Sequence, residues 1–331
     1  MRRALVDGGS PLLDLGGPLY ARKGPAAREL SSEQVQQIAR TVHRAPEVMI
    51  KILNHGGHDL KAVASHLKYI DRGGELQIEI DDGVPVQGKE AADSLIDEWC
   101  LDLDERWGRT YLRPRADGKS PKLVHKMIFS MPAGTSPEKV LAAVTNFARE
   151  EFGGQHRYAM VLHTDEPHPH VHLVVRAMGH DGQRLNIYKA TLRDWRAKFA
   201  HRLREQSVAA NATARAARGV TRPQKLDGIH RAAMRGESTH YQRRVNEVGR
   251  ELVEGNIPEE PGKERLLATR RAVVQGWKDL SDQLANQGEP ELARAVNAFV
   301  AQLPPPLTEK EVLRAALLEK TRNRGPRGRE R

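Results

Sequence analysis

Four histidines fall within ten residues of this chain, in His163-Thr-Asp-Glu-Pro-His-Pro-His-Val-His172. The flanks, Tyr158-Ala-Met-Val-Leu162 and Leu173-Val-Val175, are short apolar runs rich in β-branched residues, and two prolines interrupt the polar stretch between them. That pattern predicts two strands. An antiparallel hairpin with Thr164 to Pro169 as its turn sets His163 opposite His170 and Val161 opposite His172. Cross-strand partners share a face, and so do residues two apart on one strand. His163, His170 and His172 are therefore expected on one face of a stiff hairpin. Three neutral imidazoles that leave coordination positions open suit a divalent metal acting on a substrate. A closed structural zinc site would draw on cysteine, and the chain has only Cys100.

Composition narrows the partners. The formal net charge is +10 and the pI is near 9.8, so a polyanion is expected, nucleic acid before an anionic membrane surface. A single cysteine excludes an internal disulfide framework and fits a reducing compartment. No apolar run reaches membrane-spanning length. The start, with Asp7 and Gly8, lacks the apolar core of a signal peptide. The expectation is a cytoplasmic protein without membrane insertion.

Along the chain, residues 1–40 read as a Gly-, Pro- and Arg-rich flexible arm, with a short helix starting at Ser31 or Ser32. Residues 41–210 read as one α+β domain, a mainly antiparallel sheet flanked by helices. Its expected elements begin with a strand at 48–53 and a helix at 59–70, where Leu60, Val63, Ala64, Leu67 and Ile70 follow a helical period. A hairpin over 76–86 comes next. One helix over 89–105 follows, with a stripe through Ala92, Leu95, Ile96, Trp99 and Leu103. The remainder is a strand at 123–131, a helix from Ser136-Pro137 to Phe152, the histidine hairpin and a helix at 191–210. Residues 211–320 show only helical periodicity, and residues 321–331 form a basic tail expected to be disordered.

A metal above a sheet in a basic protein points to phosphodiester chemistry, which needs a nucleophile. Water and tyrosine are both open. Of six tyrosines, Tyr158 is out of phase with His163, Tyr20 lies in the arm and Tyr241 in the helical region, while pattern does not eliminate Tyr111 or Tyr188. Tyr69 stands beside Lys68 and Arg72, cations that attract phosphate and favour phenolate. Pattern alone, however, would leave Tyr69 packing its ring on the core.

Three segments carry a resemblance: Leu67-Lys-Tyr-Ile-Asp-Arg72, His125-Lys-Met-Ile-Phe-Ser-Met-Pro132, and the histidine segment itself. Together they are similar to the conjugative relaxases, or mobilisation nucleases, of the HUH endonuclease superfamily, in particular the type of the T-DNA border endonuclease. The similarity covers roughly residues 45 to 205. It implies a metal-dependent DNA nickase in which Tyr69 attacks one phosphodiester at an origin of transfer, leaving a 5′-phosphotyrosyl link and a free 3′-hydroxyl. His163, His170 and His172 would hold Mg²⁺ or Mn²⁺. Asp165 would orient a histidine or accept the phenolic proton. Ser130, Lys68, Arg72 and Arg176 would contact DNA, with Arg176 standing where relatives often carry a polar amide. His125, one position out of phase with Ser130, reads as a core histidine, and His168 as a residue of the turn. Basic residues from Lys189 to Arg204 either track phosphates or form a solvated helix face.

The partners implied are single-stranded DNA at the transfer origin, accessory relaxosome proteins and a type IV secretion coupling protein, for which the Arg-rich tail is a candidate tag. Two other readings remain open: a non-catalytic DNA-binding autorepressor that keeps the metal site, and a rolling-circle replication initiator. The order of motifs, tyrosine before histidines, favours the relaxase.

Overall fold

The computed structural model describes residues 29–53, 55–111, 120–220, 235–236, 238–255 and 257–323. The arm up to residue 28 and the tail from residue 324 lie outside the described residues. The chain divides into two compact units, Arg44–Ala212 and Met1–His43 with Thr213–Arg331.

The first unit is α+β. Its strands are β1 (Met49–Leu53), β2 (Glu79–Ile80), β3 (Val124–Ser130), β4 (Tyr158–His163) and β5 (His170–Arg176). They form one sheet in the order β1-β3-β5-β4-β2, with every neighbouring pair antiparallel. The hairpin register is the one expected: His163 pairs with His170, and Val161 with His172. Period-2 alternation then divides the side chains between two cores. Met127, Phe129, Tyr158, Met160, Val171, Leu173 and Val175 face α5 (Pro137–Phe152) and α6 (Lys189–Glu205). There Phe129 sits 5.0 Å from Phe147 and 5.1 Å from Phe199 between ring centroids. Burying each such side chain contributes roughly 1.5–3 kcal/mol. Ala159, Val161 and Val174 face the other way, onto α2 (Leu60–Ile70) and α3 (Ala91–Glu98). The histidines share that second face.

The local sequence explains how α2 starts and stops. The Asp59 carboxylate accepts the Ala62 amide at 2.8 Å, capping the first turn. At the other end Gly73 donates to the Lys68 carbonyl and Leu76 to that of Asp71, turning the chain back under the helix. Gly74 has φ +94°, and a Cβ there would lie 2.3 Å from the Gly88 carbonyl carbon, so this turn admits no side chain.

Two local expectations need correction. Residues 89–105 form two helices, α3 and α4 (Leu101–Tyr111), broken at Cys100, whose φ is +51°. Trp99 and Leu101 are both fully buried. Two positions apart, they fall on opposite sides of a continuous helix, so the break is what buries both. Leu103 is consequently exposed rather than on the stripe. The 76–86 hairpin shrinks to a single bridge, Ile78 with Val86, while Glu79 and Ile80 pair with β4.

In the second unit, α1 (Ser32–Val42) starts with Ser31 and Gln34 capping reciprocally. Ile38 and Val42 pack with Trp277, Leu280 and Leu284 of α8 (Lys263–Asn286) and Val296 and Phe299 of α9 (Pro290–Ala301). Helices α7 (Thr239–Glu254) and α10 (Glu309–Asn323) are tied by Lys310 to Glu247 and Glu251, and by Arg314 to Glu251. Among the described residues no helix is long and apolar enough to cross a membrane.

Candidate active site

The β4–β5 hairpin brings His163, His170 and His172 together, with one ring nitrogen of each lying within 4.8 Å of the others. Ring centroids are 4.5 to 5.3 Å apart. His163 and His172 are buried. Hydrogen bonding selects their tautomers. His163 donates Nε2–H to the Ile70 carbonyl at 2.7 Å, leaving the Nδ1 lone pair outward. His170 donates Nδ1–H to the His168 carbonyl at 3.1 Å, leaving Nε2. The Nδ1 atom of His172 is buried with no partner among the described residues. Carbonyl acceptors behind two rings fix which nitrogens stay free, and the third ring carries a buried nitrogen without a protein partner, so the donor set fits a divalent ion. Burial, then the neighbouring His163 and His170, pushes His172 down to about 3. Burial also lowers His163. Both rings are therefore neutral near pH 7, the form a metal needs.

Helix α2 delivers Tyr69 to this cluster. Its ring centroid is 6.3 Å from that of His172. The side chain is exposed, not packed on the core as pattern alone would have it. Tyr188 precedes α6 and is also exposed, and the side chain of Tyr111 is outside the described set. Tyr158 is buried on the opposite face of the sheet, against Phe152.

Arg72 links the parts. Its guanidinium lies 5.1 Å from the centre of the Tyr69 ring, pairs with the Asp165 carboxylate, and donates to His163 Nδ1 at 3.3 Å. The Tyr69 side chain, then Asp165, raise its pKa against the effect of burial. Desolvation opposes ionisation of Asp165, but the bond to Arg72 and its charge outweigh it and hold the carboxyl below its ordinary value. An acid so held is a weak proton acceptor. Among the described contacts its partner is Arg72 rather than a histidine.

The other expected residues divide. Ser130 pairs with His170 across β3 and β5, on the histidine face. Lys68 is on the surface, bound to Asp93 of α3 at 2.7 Å. Arg176 is held in a fork by Asp104 at 2.8 and 2.9 Å, at the far end of β5 from His170. There it joins α4 to the sheet. His125 bonds the Leu185 carbonyl at 2.9 Å among the core residues. His168 is exposed on the turn. On α6, Arg202 pairs with Glu150 and Glu205, Lys198 with Glu151, and Arg196 and Arg204 donate to backbone carbonyls. These cations have partners within their own domain.

Two residues of the site were not singled out from sequence. His66, one turn before Tyr69, sits 5.9 Å from the His172 ring and 6.4 Å from that of Tyr69. Burial, then Lys126 and His163, pushes it down to about 4. Lys126 is buried on β3 and lowered chiefly by that burial. Helical i, i+3 spacing from Tyr69 and even spacing from Ser130 were the available signals.

Residues 86–207 match the family described as relaxase, MobA/VirD2-like, nuclease domain. The relaxase resemblance is borne out. The match includes Ser130, the histidine triad and Arg176 and begins after Tyr69. The chain is 28% identical over 213 residues to the T-DNA border endonuclease VirD2 of Rhizobium radiobacter, covering 59% of this chain and 48% of that protein. It is 29% identical over 192 residues to VirD2 of Agrobacterium fabrum strain C58, covering 53% and 41%. VirD2 of Rhizobium rhizogenes is 29% identical over 203 residues, covering 53% and 42%. The chain thus spans under half the length of these relatives.

Proposed function

We propose that residues 41–210 are a strand-specific DNA nuclease that cuts by tyrosine transesterification at an origin of transfer, serving conjugative transfer or mobilisation. The observation that carries this reading is the approach of an exposed tyrosine to three convergent imidazoles. The phenolic oxygen of Tyr69 bonds to phosphorus as the bond to the 3′-oxygen breaks. The phenolic proton passes to solvent, and the departing oxygen takes up a proton to become a 3′-hydroxyl. One phosphodiester is exchanged for another, so rejoining needs no outside energy. His163, His170 and His172 would hold the ion, which when bound polarises a phosphate oxygen and offsets developing charge. An all-imidazole set favours Mn²⁺ over Mg²⁺, which prefers oxygen ligands. Arg72 lies where its charge stabilises phenolate and phosphate, Asp165 holds Arg72 in place, and Ser130 contacts the strand beside the nick. The partners are single-stranded DNA at the transfer origin, accessory relaxosome proteins and a type IV coupling protein.

The test is to incubate the protein and Mn²⁺ with single-stranded oligonucleotides from its own transfer origin and look for a denaturant-resistant adduct. Tyr69→Phe should abolish the adduct and keep DNA binding. An adduct that persists moves the nucleophile to Tyr111 or Tyr188. Cleavage without adduct means water attacks, and binding without cleavage means a repressor.

A further inference from the structure

His163 is held in one tautomer. A carbonyl can only accept, so Nε2 carries the proton that bonds Ile70. A guanidinium can only donate, so Nδ1 is bare and its lone pair is turned toward Arg72. With Nε2 committed to Ile70, Nδ1 is the atom His163 has left for a metal. One lone pair does not both accept an N–H and bind an ion.

The backbone favours this position for Arg72. Its φ is +57°, a left-handed conformation that costs a residue with a Cβ energy and is commonly filled by glycine just past a helix end. Gly73 follows directly and also has positive φ. An arginine kept in a strained place, with its head on Tyr69, Asp165 and His163, indicates use. Escape is open: the Arg72 side chain is 30% exposed and that of Asp165, on the β4–β5 turn, 54%.

We propose that Arg72 is a metal-displaced latch. This rests on the reading of the triad as a metal site. The guanidinium meets the His163 lone pair and lies against the Tyr69 ring. An ion held at Nδ1 would drive the guanidinium off that atom alone, leaving it beside Tyr69 and Asp165 with a donor free for an incoming phosphate. Arg72 is thus a positioning residue that competes with the metal for His163.

The experiment is a Mn²⁺ titration of the full chain without DNA, read from the electron paramagnetic resonance signal of free Mn²⁺, at ionic strength near about 0.15 M. Arg72→Gln should bind Mn²⁺ about tenfold more tightly than the unaltered protein, the scale of one charge-assisted hydrogen bond at a partly exposed site. Arg72→Lys keeps the charge but not the fork, and should bind about threefold more tightly. Arg72→Gly suits the backbone, guards against misfolding of the others, and should match glutamine. Unchanged or weaker binding in the glutamine and glycine variants overturns the latch. So does tightening with glutamine but none with lysine, which would mean long-range charge alone. Binding by none of the four proteins sinks the metal reading, and the latch with it, whereas loss of binding in His163→Ala alone upholds the site.

Discussion

Acid should weaken the nuclease unit through His125, by an amount the structure supplies. Burial, then Lys122, pushes His125 down to about 4 from its ordinary 6.5, against the opposing effect of its bond to the Leu185 carbonyl. The folded value is depressed, so between pH 6.5 and 4 the unfolded chain binds more protons. Stability is then fully present above 6.5 and is lost as pH falls toward 4. The linkage integral gives about 2 kcal/mol lost between pH 7 and pH 5 from this residue alone. His66 and His172 shift in the same direction, so the total slope is not a test, but the difference between two proteins is. Urea unfolding of the unaltered protein and His125→Gln, both in chelator, should be compared at pH 7 and pH 5. The variant should lose about 2 kcal/mol less over that interval and keep adduct formation at pH 7. Equal losses in the two proteins would refute the burial of His125 as the cause. Loss of nicking in a variant that stays folded would refute its assignment to the core rather than the site.

Metal should stabilise the fold: Mn²⁺ at 100 times its dissociation constant adds about 2.7 kcal/mol, seen as a rise in melting temperature that vanishes in His172→Ala. A rise that persists in that variant would place the ion elsewhere. Arg176→Met leaves the Asp104 carboxylate, whose side chain is 10% exposed, without its partner and should cost about 3 kcal/mol in chemical denaturation. Affinity for single-stranded DNA, measured by fluorescence anisotropy, should not change. A fall in affinity at unaltered stability would return Arg176 to the DNA surface.

Much of this molecule was legible in the chain because it rests on local periods. The β-branched runs on either side of the Thr164–Pro169 turn predict a hairpin whose register pairs His163 with His170, so the histidine triad could be read before any fold was known. The Asp59 and Ser136 caps and the helices of the C-terminal region are local in the same sense. Other features depended on chain segments far apart. Tyr69 and His172 are separated by about a hundred residues, and nothing in an amphipathic helix says whether its tyrosine turns to the core or to a neighbouring sheet face. Arg72 on Asp165 and Arg176 on Asp104 are likewise choices among many carboxylates, made by which elements dock. The break at Cys100 came from two side chains competing for burial, a demand that arises only once a core exists. Short-range order set the rings of the metal site, and packing at a distance decided which cation and which phenol would stand beside them.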